Sequence, residues 1–277
     1  MSKGIGIINS SGAGFFSNFR GSISAIKRCE DNNLIPFMNW SNNPYKENKH
    51  GNNVWEYYFE QTTSDLLKTG IVGKYNVEQD FTWRNLPHTR EAMSNLIEKY
   101  VTLKPDIQKE IDEFYNENMK GRHVLGVHIR LTDKATHPAE KKTIVSLENY
   151  KTEIRNYINL FPDAYIYLAT DSTDYIKQLN EEFGDKIILP DVLRSSGGAS
   201  VHHHSQGNGY KKGKDVLMEC LLLSKCDFLI KGVSNVSLCA LFFNKELEHF
   251  NITSQYNNDT REDFIPWKKI NEELCQK

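Results

Sequence analysis

The sequence predicts an α/β chain built on parallel sheets, with a strand-then-helix pattern that runs through twice. Three observations carry this. Short apolar runs of strand length alternate with longer segments whose apolar residues fall at helical spacing. The alternation restarts near residues 120–122. Polar and charged groups gather just after the apolar runs, at 130–134, 170–172 and 231–235. Strands alternating with helices imply a parallel sheet, and such sheets bind ligands beyond the carboxyl ends of their strands.

The elements follow in order. Residues 4–9 form a short apolar strand and 10–14 a tight turn. Phe15, Phe19, Ile23 and Ile26 share one helical face, so 15–31 is a helix. A second strand covers 34–40, a polar loop 42–53, and helices 90–101 and 105–119, the second with Pro105 in its first turn. The second half opens with a strand at 124–130 and a polar loop at 131–146. A helix at 147–160, a strand at 165–169, a helix at 174–183 and a short strand at 186–189 follow. A Gly/Ser/His loop at 194–212 leads to a helix at 215–225, a strand at 228–231 and a helix at 235–244. The expected division is a domain at 1–120 and another at 121–277.

Composition bounds the function classes. The chain of 277 residues suffices for one large domain or two small ones. With 39% hydrophobic and 25% charged residues it reads as a soluble globular protein. A net charge of -2 gives no global pull toward nucleic acid or membrane, so local clusters must do any phosphate work. The five cysteines, Cys29, Cys220, Cys226, Cys239 and Cys275, are scattered without a CxxC and are expected as reduced thiols, mostly buried. The amino terminus shows no apolar signal region and the chain no membrane span, so an intracellular, cytoplasmic protein is expected. On that reading the sequons at Asn39, Asn235 and Asn251 stay unmodified.

Four motifs carry chemistry. In Gly126-Val127-His128-Ile129-Arg130-Leu131-Thr132-Asp133-Lys134 a buried strand ends in a cation, followed by a carboxylate and a second cation. Arg130 can fork onto phosphate oxygens and Lys134 adds a point charge, or the group is a surface salt-bridge cluster. In Lys231-Gly232-Val233-Ser234-Asn235, Ser234 or Asn235 can cap a helix whose first N–H groups suit a pyrophosphate, or can be a plain cap. Glu219 stands among apolar residues on a helix and needs either a sugar-diol ligand or a structural cation. The loop from Arg194 through His202, His203 and His204 reads as a flap over a ligand rather than a zinc site, because adjacent histidines point apart. The turn Ser11-Gly12-Ala13-Gly14 fails as a dinucleotide fingerprint and reads as a backbone turn beside an acceptor cleft. No Asp-x-Asp occurs, which argues against a divalent metal. A regulatory NAD-type Rossmann protein is disfavoured by the missing fingerprint.

His128-Ile129-Arg130-Leu131-Thr132-Asp133-Lys134 resembles the first donor-binding motif of the α1,6-fucosyltransferases and bacterial nodulation fucosyltransferases, with a looser form in protein O-fucosyltransferases. Tyr167-Leu168-Ala169-Thr170-Asp171-Ser172 resembles the second motif. Val216-Leu217-Met218-Glu219, then Leu223 to Leu229, then Ser234, resembles the third. The order and spacing agree from Gly126 to Asn244. The resemblance implies two Rossmann-like domains facing across a cleft, of GT-B type. It implies a nucleotide-sugar donor, GDP-fucose, an oligosaccharide or glycoconjugate acceptor, no metal, and inversion at the anomeric carbon. It places Arg130 on the β-phosphate, Asp171 and Glu219 on the base or ribose, and Ser234 on the pyrophosphate. The whole expected donor set is His128, Arg130, Lys134, Asp171, Ser172, Glu219, Ser234 and Asn235, with Arg194 and His202 from the loop. The expected base is Glu140, with Asp133 and His137 as rivals. Relatives usually carry a second arginine where Leu131 stands, and often aspartate where Glu219 stands. A donor such as UDP-xylose, or a binding module without catalysis, stays open on the sequence.

Overall fold

A computed structural model describes residues 4–62, 73–79, 89–130, 143–194 and 208–257. The chain forms two compact units, Met1–Glu110 with Gln206–Val216, and Ile111–Ser205 with Leu217–Lys277. The sequence reading divides the chain after residue 120. The compact units part at 110, inside a helix, and a later segment returns to the first unit.

In the first unit β1 (Gly4–Asn9), β2 (Leu34–Asn39) and β3 (Lys74–Val77) make a parallel sheet of order β2-β1-β3. Helix α1 (Phe15–Asp31) buries the predicted stripe of Phe15, Phe19, Ile23 and Ile26. Gly6 sits in β1 because a Cβ there would lie 2.6 Å from the Cys29 sulfur of α1. The short α2 (Trp55–Tyr58) adds its aromatic rings to those of Phe15, Trp40 and Phe59 in edge-on and tilted packing. Helix α3 (Thr89–Tyr100) follows, and α4 (Pro105–Asn118) leads out of the unit.

The second unit holds β4 (Val124–Ile129), β5 (Tyr165–Thr170), β6 (Ile187–Ile188), β7 (Phe228–Lys231) and β8 (Glu248–Asn251). All pair in parallel in the order β6-β5-β4-β7-β8. The intervening helices are α5 (Leu147–Leu160), α6 (Thr173–Phe183), α7 (Gly209–Leu223) and α8 (Asn235–Phe243), with α9 (Ile252–Asn257) last. The chain steps outward from β4 through β5 to β6, then crosses to β7 on the other flank. The reversal therefore lies between β4 and β7, where open α/β sheets bind ligands.

The two faces of this sheet differ. Leu125, Val127, Ile129, Ile166, Leu168, Phe228, Ile230 and Phe250 lie on one face, in a core with Tyr150, Ile154 and Tyr157 of α5. The alternate positions carry Tyr167, His128, Lys231, His249 and Asn251, each no more than 4% exposed. Fully buried parallel strands ordinarily read as unbroken apolar runs. Here one face mixes buried apolar residues such as Val124, Ala169 and Leu229 with these buried polar ones, and His128, Lys231 and Asn251 stand toward the carboxyl ends of their strands.

Several sequence expectations need correction in detail. Helix α7 begins at Gly209, where a loop through 212 was expected. Its glycines concealed it. A Cβ on Gly209 would lie 2.3 Å from the Tyr45 carbonyl oxygen, and one on Gly213 would lie 2.2 Å from the Tyr58 hydroxyl, so packing demands glycine in a helix that propensity disfavours. The elements α2, β3, β8 and α9 went unread. β3 and β8 are four-residue strands with only one or two apolar residues each. Cys29, Cys220, Cys226 and Cys239 are buried thiols, and burial pushes Cys29 up to about 11. Cys275 lies outside the described residues. No helix among the described residues is long and apolar enough to cross a membrane.

Candidate functional site

The site is built at the carboxyl edge of the second sheet. β4 is buried along its whole length and delivers Arg130 to its end. On the neighbouring strand, Ile129 registers with Thr170. The Thr170 hydroxyl accepts a hydrogen bond from the Ser172 N–H at 3.3 Å, and the Ser172 hydroxyl caps α6 by accepting from the Tyr175 N–H at 3.4 Å. This turn fixes Asp171 between them. Arg130 Nε then meets Asp171 Oδ2 at 3.4 Å, with side chains 17% and 10% exposed. An arginine held at so little exposure keeps one orientation, and its planar fork suits phosphate oxygens better than a lysine would.

Across the reversal, β7 ends at Lys231, which is wholly buried and registers with His128. The turn after it is tied down from several sides. A Cβ on Gly232 would lie 2.9 Å from the Tyr150 hydroxyl. The Val233 N–H donates to the Thr253 hydroxyl at 3.1 Å, and the Thr253 N–H donates to Asn251 Oδ1 at 3.2 Å. Ser234 caps α8, accepting from the Val236 N–H at 3.3 Å. Helix α8 therefore begins at the same edge as Arg130, and its first N–H groups and partial positive charge would favour an anion there.

Behind the edge, burial drives the Tyr167 phenol well above its ordinary range; the Glu219 carboxylate adds to this and the Arg194 guanidinium opposes it. The Tyr167 hydroxyl has no hydrogen-bond partner among the described residues, and the same holds for Arg194 Nε and Asn235 Oδ1. Buried groups left in this state are the places where water or a ligand completes the bonding. Arg194 is otherwise fixed by its hydrogen bonds to the carbonyls of Pro190 at 2.9 Å and Val192 at 3.2 Å.

The structure thus gathers His128, Arg130, Asp171, Ser172, Arg194, Glu219, Ser234 and Asn235 into the unit that carries the reversal between β4 and β7. Ser172 and Ser234 act there as helix caps. Asp133, Lys134, His137, Glu140 and His202 lie outside the described residues. No cluster of His, Cys, Asp or Glu suited to a metal occurs among the described residues. A hollow of about 520 Å³ lined by Arg155, Asn180, Glu182 and Lys186 sits at the amino-terminal edge, away from this chemistry. The sequence reading did not single out Lys231 and Tyr167 individually, which the structure buries close to this edge. Their signal was present as a cation ending an apolar strand and a phenol within one.

The family model of nodulation protein Z (NodZ) matches residues 86–256, more than half of the chain and every described site residue above. The chain belongs to the nodulation protein Z family. The NodZ of Bradyrhizobium diazoefficiens is 27% identical over 135 residues, which cover 46% of this chain and 36% of that protein. The match therefore spans little more than a third of that relative's length. Among solved structures, the NodZ α-1,6-fucosyltransferase soaked with GDP-fucose superimposes with a TM-score of 0.64 at 17% identity, over 87% of this chain and 93% of that one. POFUT1 in its apo form gives 0.50 at 11% identity, over 90% and 98%. These likenesses carry the α/β fold with parallel sheets. The family resemblance drawn from the three motifs is borne out.

Proposed function

We propose that this NodZ-family chain is an inverting, metal-independent glycosyltransferase of GT-B architecture that moves fucose from GDP-fucose to a glycan hydroxyl. The observation that carries the reading is the partly buried Arg130–Asp171 pair at the ends of β4 and β5, next to the sheet reversal, inside the span that matches NodZ. Of the solved NodZ α-1,6-fucosyltransferase structures, one was soaked with GDP-fucose and one co-crystallised with GDP. In this reading the second unit takes the donor and the first the acceptor.

A single displacement accounts for inversion. The acceptor oxygen forms a bond to the anomeric carbon as the bond from that carbon to the β-phosphate oxygen breaks. The hydroxyl proton passes to a base, for which Glu140 is the assignment and Asp133 and His137 the rivals. The electron pair leaves on the diphosphate, where Arg130 and the start of α8 stabilise it. Asp171 holds Arg130 in place and, with Glu219, accepts hydrogen bonds from the nucleoside.

Two outcomes are expected. GDP and GDP-fucose raise the melting midpoint more than UDP and UDP-xylose do in side-by-side scans, since a ligand of the folded state stabilises it by mass action. A shift with the uridine ligands alone would remove the fucosyl assignment and keep the fold. Transfer in excess EDTA proceeds at the untreated rate, because fixed cations and a helix terminus take the role of a metal at the leaving group. A large loss restored by manganese or magnesium would overturn metal independence.

A further inference from the structure

We infer that the carboxyl edge of the first unit's sheet is a binding site for a neutral polyol, the hydroxyl array of the sugar acceptor, built on Asn9, Asn39 and Asn76. The inference rests on the glycosyltransferase reading and adds to it the acceptor residues and their preferred chemistry.

Asn9 ends β1 and registers with Asn39, which ends β2; Asn76 on β3 registers with Ile7. Strand alternation puts all three on one face of the sheet. Their amides form a chain: Asn39 Nδ2 donates to Asn9 Oδ1 at 2.7 Å, and Asn9 Nδ2 reaches Asn76 Oδ1 at 3.5 Å. Asn9 and Asn76 are exposed and Asn39 is half-buried. The chain of amides ends in an acceptor, Asn39 Oδ1, on one side and a donor, Asn76 Nδ2, on the other. The order β2-β1-β3 gives this sheet its own reversal, between β1 and β3. Asn9 and Asn76 stand at that reversal, the place where open sheets take ligands.

The chemistry selects the ligand. No charged residue occurs in 9–19 or 39–45, the segments that leave β1 and β2. Around Asn76 the chain adds one charge of each sign, Lys74 two residues before it and Glu78 two residues after it, so a diphosphate or a carboxylate would find no net positive charge there. A sugar hydroxyl both donates and accepts, and an amide offers both functions side by side. Two glycines make a second, independent observation. A Cβ on Gly12 or Gly14 would meet nothing within 4 Å, and neither residue has a positive φ. Neither packing among the described residues nor backbone conformation calls for glycine there. What glycine provides is open backbone in the turn that follows Asn9, where a ligand can approach closely. Ile7 and Phe37, half-buried on the same face, supply apolar surface for the C–H side of a sugar ring.

The test is an immobilised array of neutral hexose oligosaccharides, including maltopentaose and cellopentaose, beside trigalacturonic acid, probed with the whole protein and with Asn76→Leu and Asn9→Asp. The wild type is expected to retain neutral sugars, and each variant to bind them at least tenfold more weakly with an unchanged melting midpoint. The aspartate variant keeps the shape of the side chain, loses its donor to Asn76 Oδ1 and gains a negative charge, so it answers even where the leucine variant unfolds. Neutral sugars bound equally by wild type and variants, retention of the acidic sugar alone, or retention of none would overturn the site. Calorimetry with GDP-fucose is read in parallel. Intact donor binding beside a failed array removes the acceptor site only, whereas absent donor binding beside an asparagine-dependent array removes the fucosyl reading.

Discussion

Replacing Arg130 by alanine is expected to lower the transfer rate by roughly 10²–10³-fold, about 2.7–4 kcal/mol of transition-state stabilisation, by analogy with losing one donor to a developing oxyanion. The guanidinium is set at the end of a wholly buried strand and braced by Asp171, so on the proposed reading it would meet the leaving diphosphate without reorganising. The variant also withdraws the cation from a carboxylate only 10% exposed, and a stability loss of a few kcal/mol accompanies it. Arg130→Lys separates the two effects. Lysine keeps the charge beside Asp171 and recovers most of the stability, but it lacks the fork and recovers little of the rate. Single-turnover transfer from GDP-fucose and urea unfolding read the two quantities. A folded Arg130→Ala enzyme with near-wild-type turnover would remove Arg130 from the donor site.

The second large effect is on stability. Gly209→Ala is expected to destabilise the protein by about 3 kcal/mol, the upper end for overpacking. The added carbon would sit 2.3 Å from the carbonyl oxygen of Tyr45, and backbone yields less readily than the tip of a side chain. Gly213→Ala is expected to cost less. Its obstacle is the Tyr58 hydroxyl, the far end of a side chain, although that ring is wholly buried and donates to the Tyr210 carbonyl at 2.9 Å. Urea unfolding midpoints of the two variants give the order. A Gly209→Ala protein as stable as the wild type would mean that Tyr45 and the start of the helix part easily.

Much of this was legible in the sequence. The strands at 4–9, 124–129 and 228–231 showed as apolar runs. Helices 15–31 and 147–160 showed by the spacing of their apolar residues. Arg130 and Asp171 were legible because a strand end is where a buried run must meet solvent. Other features were hidden for physical reasons. The start of α7 is written in glycine and lysine, and only the presence of Tyr45 and Tyr58 over it explains that choice. β8 looks polar because His249 and Asn251 belong to the buried polar face, a property of the assembled sheet that no local window contains. The amide chain of Asn9, Asn39 and Asn76 joins residues far apart in sequence and exists only once β1, β2 and β3 are in register.

The return of residues 206–216 to the first unit governs how this gene can be divided. A polypeptide stopped at Glu110 would lack Tyr210, whose ring stacks on His50 at 4.1 Å, and Lys214, whose ammonium pairs with Glu110 at 2.8 Å. The rings of His50, Tyr57 and Tyr58 would then open as aromatic surface on the first unit, with aggregation as the expected outcome. Two co-expressed pieces cut after residue 110 therefore have a built-in reason to find each other, because the later piece carries the missing wall of the earlier one. The chain lends itself to a split-protein reporter in which recovery of folding reports that the halves have met, and no single cut yields two self-sufficient modules.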